Sequence, residues 1–296
     1  MEKIDLVYIL GNGSRWSDNE IRFSLRSVEK YFNYRHIFII GEKPEWMTGV
    51  IHIKADDSER NKLLNARKKY MIACNDKRIS KKFVLMNDDF FLLKPIEQIE
   101  NWSRGTIQEM IEKHPTKGGY YYKSLVDTKN RMNAIGISDP IDFEIHGPMV
   151  FDKEKVLTTI GVMGMDKPFS IRSCYGNIAH LEPKKIMDFK AMNIAEFAYQ
   201  MKFDREVLSI SDGMVAEDDF RVWIERKYKN PSCFEMDEGV GSKTLPGRSG
   251  GVKRYYAVKT FTFNSKKINI GEIIDDDTIQ GIKETKKMRG LWKYTQ

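Results

Sequence analysis

Cysteine is scarce: the 296 residues hold three, Cys74, Cys174 and Cys233, too far apart for a disulfide framework and without a Cys-x-x-Cys pair to mark a structural zinc site. Buried thiols are the expectation. Long apolar runs are missing too. The longest are His36 to Ile40 and Phe83 to Leu93, and Asn87, Asp88 and Asp89 interrupt the second. A bilayer span needs about 18 residues, so none is expected. The sequence has no Gly-x-Gly-x-x-Gly and no lysine-bearing phosphate loop, which argues against nicotinamide binding and P-loop hydrolysis. Cys174 and the nearby His180 form no recognisable nucleophile setting. The opening Met-Glu-Lys-Ile-Asp enters an apolar strand with no basic leader or small-residue cleavage site, which predicts a cytoplasmic protein.

What is present suits an ordinary globular chain: 41% hydrophobic and 31% charged residues, with length for about two domains. Lys and Arg outnumber Asp and Glu by 49 to 42, a net +7. The excess is local. Seven basic residues and no acidic one lie between Val240 and Gly271, among them Lys243, Arg248, Lys253 and Arg254. Small residues precede them and Tyr255, Tyr256, Phe261 and Phe263 are interleaved, a composition that lays cations on phosphates and rings on bases. A solvated basic loop followed by a strand with inward-facing phenylalanines explains the same residues equally well.

Ile4 to Leu10 is expected to be a buried strand, broken at Gly11-Asn12-Gly13. Ser17 and Glu20 form a capping-box pattern before Ile21, Leu25, Val28 and Phe32 at helical spacing. Strands follow at 36–40, 50–53 and 82–86, with a basic helix capped at Asp57 or Ser58 before the last. Helices are expected near 106–113 and 216–228. Strands alternating with helices predict an α/β fold with a mostly parallel central sheet, whose ligands gather beyond the carboxyl ends of its strands. The chain is partitioned into a ligand-binding region, residues 1–190, and a mainly helical, basic region, residues 191–296.

Three constellations carry chemistry. Asp88 and Asp89 sit inside an eleven-residue run that is otherwise apolar apart from Asn87, and two ionised carboxylates there need compensation. Mn²⁺ or Mg²⁺ bridging them to a substrate diphosphate supplies it; a turn whose acids cap backbone amides or meet lysines is the alternative. Gly11, Asn12 and Gly13 allow a ligand close to the backbone, with Arg22 and Arg26 nearby as forked phosphate donors. In an extended segment Asp142, Glu144 and His146 share one face, offering a general base or a further metal ligand, or merely a histidine packed before Pro148.

These segments resemble the Stealth family of sugar-phosphate transferases. The likeness lies in Asp5-Leu-Val-Tyr-Ile-Leu-Gly-Asn-Gly-Ser14, in Asp18-Asn-Glu-Ile-Arg-Phe-Ser-Leu-Arg-Ser-Val-Glu-Lys-Tyr31, in Phe83-Val-Leu-Met-Asn-Asp-Asp-Phe-Phe91 and in His146-Gly-Pro-Met-Val-Phe-Asp-Lys153. The chain is also similar to short glycosyltransferase-like proteins of bacteriophages, in which an element like Tyr175-Gly176-Asn177 follows the His-Pro block. The resemblance implies a GT-A-type, Rossmann-like fold with a UDP-sugar in its crevice. It puts Gly11, Asn12 and Gly13 beside the nucleotide, Arg22 and Arg26 at the diphosphate or supporting the turn, and Asp88 and Asp89 at the ribose and metal. His146 then lies near the reacting centre.

The leading expectation is metal-dependent transfer of a sugar from a UDP-sugar to an acceptor hydroxyl, with Asp142 or His146 as base. For the acceptor, the basic segment and the phage likeness suggest a hydroxymethylated base in double-stranded DNA, reached in the host cytoplasm. The competing expectations are sugar-1-phosphate transfer to a polysaccharide and a non-catalytic nucleic-acid-binding module.

Overall fold

The computed structural model describes residues 3–59, 61–114, 118–164 and 169–236, together with five short strands between 254 and 295. The chain divides into two compact units, Met1–Met236 and Asp237–Gln296. In the second, Arg254–Ala257 pairs antiparallel with Ile273–Ile274 and Trp292–Thr295, and Phe261–Phe263 forms a hairpin with Lys266–Ile268. The side chains of Lys243, Arg248, Lys253 and Arg254, and with them the expected nucleic-acid surface, lie outside the described residues.

In the first unit the elements run β1 (Ile4–Leu10), α1 (Asn19–Tyr31), β2 (Tyr34–Gly41), β3 (Ile51–Ile53), α2 (Lys62–Asn75), β4 (Lys82–Met86) and β5 (Phe90–Leu92). Next come β6 (Trp102–Ser103), β7 (Gly105–Thr106), α3 (Ile107–Lys113), α4 (Tyr120–Ala134), β8 (Ile141–Asp142), β9 (Met149–Asp152), α5 (Lys153–Met163) and α6 (Ile171–Ile178). The rest is β10 (Lys184–Lys185), β11 (Lys190–Ala191), α7 (Ile194–Gln200), β12 (Val207–Ile210), a 3₁₀ turn (Met214–Ala216) and α8 (Asp218–Lys227). Among the described residues no helix is long and apolar enough to cross a membrane.

The central sheet has the order β3-β2-β1-β4-β9 and is parallel except for β9, which runs antiparallel to β4. The expected α/β fold with a mostly parallel sheet is thus what forms. Alternation along each strand divides the core in two. Leu6, Tyr8, Ile37, Ile39, Val84 and Met86 face α1, against Leu25 and Val28. Val7, Phe38, Ile40, Phe83 and Leu85 face the other layer, with Tyr70, Ala73, Val156 and Cys174 from α2, α5 and α6. Burying each large side chain contributes about 1.5–3 kcal/mol, which is why both faces of these strands are apolar. A third cluster joins β5 and β12 to α8 through Phe91, Leu208, Phe220 and Ile224.

This order fixes where a ligand fits. From β1 the chain winds outward to β2 and β3, then returns to place β4 on β1's other side, with Tyr8 level with Met86. Two neighbouring parallel strands whose connections diverge leave a crevice past their carboxyl ends. Gly11-Asn12-Gly13 and Asn87-Asp88-Asp89 are the residues that follow those two ends.

The local signals differ from the expectations in three places. The N-terminus of α1 is organised by Ser14, whose hydroxyl donates to Glu20 (2.8 Å) and accepts the Asp18 amide (2.8 Å); Ser17 and Asp18 instead take left-handed backbone, φ 51° and 59°. Asn61, not Asp57 or Ser58, caps α2, accepting from the Leu63 amide at 2.9 Å. Asp57 is engaged elsewhere, as described below. Only Ile141 and Asp142 of the expected extended segment pair as strand, with β7.

Candidate active site

Two adjoining clefts open at the crevice. The first, of about 650 Å³, is lined by Leu10, Gly11, Asn12, Gly13, Ser17, Asp18, Glu42, Lys43, Asp57, Lys69 and Asp88, among others. The second, of about 530 Å³, is lined by Asn87, Asp88, Asp89, Glu20, Tyr70, Tyr121, Glu144, His146, Arg172 and Lys190, among others. Asp88 borders both. Ile9, Gly13, Ser14, Lys62, Ala66 and Asp212 also do.

The rim of the first cleft is held by Lys69. Buried on α2, it donates to the Leu10 carbonyl (2.5 Å) and to Asp57 (2.6 Å), tying the end of β1 to the segment before α2. The backbone at Gly11 runs close to Asp57: a Cβ there would lie 2.9 Å from a carboxylate oxygen, whose tip would have to shift. A Cβ on Gly13 would meet no atom within 4 Å, so the space above it belongs to the cleft.

At the end of β4 the two aspartates differ. Asp89 accepts the Ser209 hydroxyl at 2.8 Å, with Lys190 at 3.7 Å. Among the described residues Asp88 forms no ion pair. Burial first, then the charges of Asp89 and Glu20, push its carboxyl up to about 7, with only backbone amides opposing them. Three carboxylates converge there with less positive charge than they need, an arrangement that a hard divalent cation compensates. Among the described residues no group of three or more His, Cys, Asp or Glu is placed to hold a metal ion. Asp88 and Asp89 are the pair that could hold a divalent ion, since Mg²⁺ and Mn²⁺ can take one or two protein carboxylates and complete their shells with water and substrate phosphate.

Of the expected bases, His146 lines the second cleft and Asp142 does not. Asp142 is fully buried and ion-paired with Arg104, whose guanidinium donates to both carboxylate oxygens at 3.0–3.2 Å. It has no route to an acceptor. The extended alternation ends after Asp142, so the one-face expectation fails at this residue. His146 Nδ1 lies 2.8 Å from Asp188, which also accepts the His146 amide at 2.9 Å. A carboxylate at Nδ1 places the proton there and leaves Nε2 as the basic nitrogen. Burial raises the Asp188 carboxyl, but the bonds from His146 and the nearby Arg104 outweigh it and hold the group at about 2, ionised at neutral pH. Arg104 reaches Asp188 at 3.6 Å and also donates to the Tyr121 hydroxyl. Asp142, Arg104, Asp188 and His146 thus form one connected chain of polar contacts ending at the cleft.

Arg22 and Arg26 line neither cleft. In place of phosphate they take Glu235: Arg26 forks onto it at 2.7 and 2.6 Å, and Arg22 reaches it at 3.2 Å while lying over the Trp46 ring. Arg26 also donates to the Tyr228 carbonyl, so the pair pins residues 228–235 against α1. Gly11, Asn12, Gly13, Asp88, Asp89 and His146 are therefore brought together, and Asp142, Arg22 and Arg26 are not. Sequence reasoning missed Lys69, Asp57, Arg104, Arg172, Glu144's place in the cleft, and Asp188. Asp188 lies 42 residues from its partner His146 with no motif between them.

No protein-family model matches the chain, and no curated protein does. Among solved structures, the chain is similar to the galactosyltransferase LgtC in complex with donor and acceptor sugar analogues, at 10% identity and TM-score 0.43, over 76% of this chain and 94% of that one. It is also similar to the apo-form glycosyltransferase GlyE of Streptococcus pneumoniae TIGR4, at 13% identity and TM-score 0.32, over 78% of this chain and 65% of that one.

Proposed function

We propose that the first unit is a GT-A-type glycosyltransferase that takes a UDP-sugar and passes its sugar to an acceptor hydroxyl. The observation that supports this most is the meeting, at one switch point, of a cation-deficient Asp88-Asp89 pair with an Asp188-oriented histidine, across two clefts that share Asp88. In this reading the nucleotide lies over Gly11-Asn12-Gly13 and the sugar and acceptor in the second cleft. Asp88 and Asp89 would hold a divalent ion. Bound there, Mn²⁺ or Mg²⁺ neutralises charge on the departing diphosphate.

The chain's own groups do the rest. His146 Nε2 accepts the acceptor's proton as its oxygen attacks the anomeric carbon, and Asp188 stabilises the imidazolium that forms. Arg104 and Asp142 keep Asp188 in place. Lys69 and Asp57 set the backbone of the β1 turn on which the nucleotide rests.

For the acceptor, a hydroxymethylated base in phage DNA rests on the basic composition of Val240–Gly271. Incubation with labelled UDP-sugars, Mn²⁺ and three acceptors (hydroxymethylcytosine DNA, unmodified DNA and glycans) tests both levels. Sugar transfer with release of UDP supports the reaction, and release of UMP replaces it with sugar-phosphate transfer. No preference for the hydroxymethylated DNA removes that acceptor.

A further inference from the structure

α2 supplies side chains to both clefts, and its helical period sorts them. Asn65 and Lys69 line the first cleft and Leu63 and Tyr70 the second, while Lys62 and Ala66, one turn apart on the face between, line both. In the reading above, the nucleotide lies in one cleft and the sugar in the other. The diphosphate that joins them therefore crosses the boundary on which Lys62 stands.

A diphosphate needs positive charge at that boundary. Acidic side chains outnumber basic ones along each cleft, and the charge of a divalent ion held by Asp88 and Asp89 is offset by those two carboxylates. The other basic side chains of the clefts are already engaged. Lys43 donates to the carbonyls of Pro44 (3.3 Å) and Met47 (2.8 Å), and Lys69 is tied to Leu10 and Asp57. Arg172 donates to the carbonyls of Ile145 (3.0 Å) and Gly147 (2.6 Å), and Lys190 lies 3.7 Å from Asp89. Lys62 differs from them all. It is exposed, it forms no hydrogen bond or ion pair among the described residues, and no other basic side chain described there borders both clefts.

We propose that Lys62 binds the diphosphate of the nucleotide-sugar, the role that Arg22 and Arg26 do not take, and stabilises it as the leaving group. As the bond from the anomeric carbon to the β-phosphate oxygen breaks, its electron pair stays on that oxygen and the diphosphate gains one negative charge. The acceptor oxygen bonds to the carbon and its proton passes to His146. The Lys62 ammonium, on its long flexible stem, thus meets more charge after the sugar has left than before, which is how a cation at this place speeds the transfer. This inference rests on the nucleotide-sugar reading above and adds to it the residue that receives the leaving group.

The test is calorimetric titration of the full chain, first with Mn²⁺ alone and then with UDP in Mn²⁺, on the wild type, Lys62→Gln and Lys62→Arg. Lys62→Gln should bind UDP about ten- to a hundredfold more weakly, the worth of one charge-assisted hydrogen bond. It should bind Mn²⁺ alone at least as tightly as the wild type, because an acidic cleft that loses a cation attracts a metal ion more strongly. A damaged fold would weaken both ligands. Lys62→Arg keeps the charge and should recover most of the UDP affinity. Lys62→Met should match Lys62→Gln and serves if that variant fails to fold. The inference is overturned, with the broader reading intact, if the neutral variants bind UDP within about twofold of the wild type, if Mn²⁺ and UDP weaken together, or if Lys62→Arg binds UDP no better than Lys62→Gln. Absence of UDP binding to the wild-type chain removes the nucleotide-sugar reading and the inference with it.

Discussion

Replacing Asp188 by asparagine separates the charge of that side chain from its shape. Its carboxyl sits at about 2 instead of the ordinary 3.8, because the bonds from His146 and the charge of Arg104 outweigh the effect of burial. That difference corresponds to about 2 kcal/mol of folding stability at neutral pH. The sign follows from the folded state binding its proton less readily: the contribution is whole above about pH 4 and fades as the pH falls towards 2. Asp188→Asn should therefore lose about 2 kcal/mol at pH 7, or about 4–8 °C in Tm for a unit of this size. Urea titrations of both proteins from pH 7 to pH 3 measure the gap, which should narrow with acid. Turnover should fall by about 100-fold or more, with donor KM little changed, since the imidazolium loses its counter-charge only when it forms. Equal stability at pH 7, or turnover within a few-fold of wild type, refutes the relay from Asp188 to His146.

The metal pair has its own pH signature. Burial and the charges of Asp89 and Glu20 push the Asp88 carboxyl up to about 7, so Mn²⁺ affinity should fall as the pH drops from 8 to 6; a flat profile by calorimetry contradicts it. Glu235→Ala leaves Arg22 and Arg26 without their buried partner and should destabilise the first unit by about 3–5 kcal/mol in denaturant titration, while Glu235→Gln loses less. Gly11→Ala puts a Cβ 2.9 Å from an Asp57 carboxylate oxygen, on the cleft wall, and should weaken UDP binding; unchanged affinity would detach the β1 turn from the nucleotide. Asp142→Asn should reduce stability through Arg104 yet leave turnover measurable, unlike His146→Ala, as kinetics on both variants would show.

The parts of the molecule legible in the sequence are those whose signal is local. β1 and β4 announce themselves as short apolar runs with turn residues at their ends, and a parallel sheet puts those ends on one edge; that β4 lies directly beside β1 is decided by the strand order of the fold. Asp88 and Asp89 stand out because charge inside an apolar run is costly wherever it falls. What escaped is what long-range packing decides. Arg22 and Arg26 have the spacing of a phosphate clamp, but their partner is Glu235, more than 200 residues later. Asp142 belongs to the same alternating segment as His146, yet the strand ends beside Arg104 and turns the two residues to different surroundings. The capping box at Ser17 failed because Ser14 lies close enough to bond Glu20 itself, leaving Ser17 and Asp18 in left-handed backbone on the wall of the first cleft.

In the proposed reaction Asp88 and Asp89 bind the nucleotide diphosphate through a divalent ion. Thermal denaturation of the full chain with UDP, in Mn²⁺ and in EDTA, addresses it most directly, since a ligand of the native state raises Tm. UDP should raise Tm only with Mn²⁺, and Asp88→Asn with Asp89→Asn should abolish the rise. An equal rise in EDTA, or one that survives the double substitution, would contradict it.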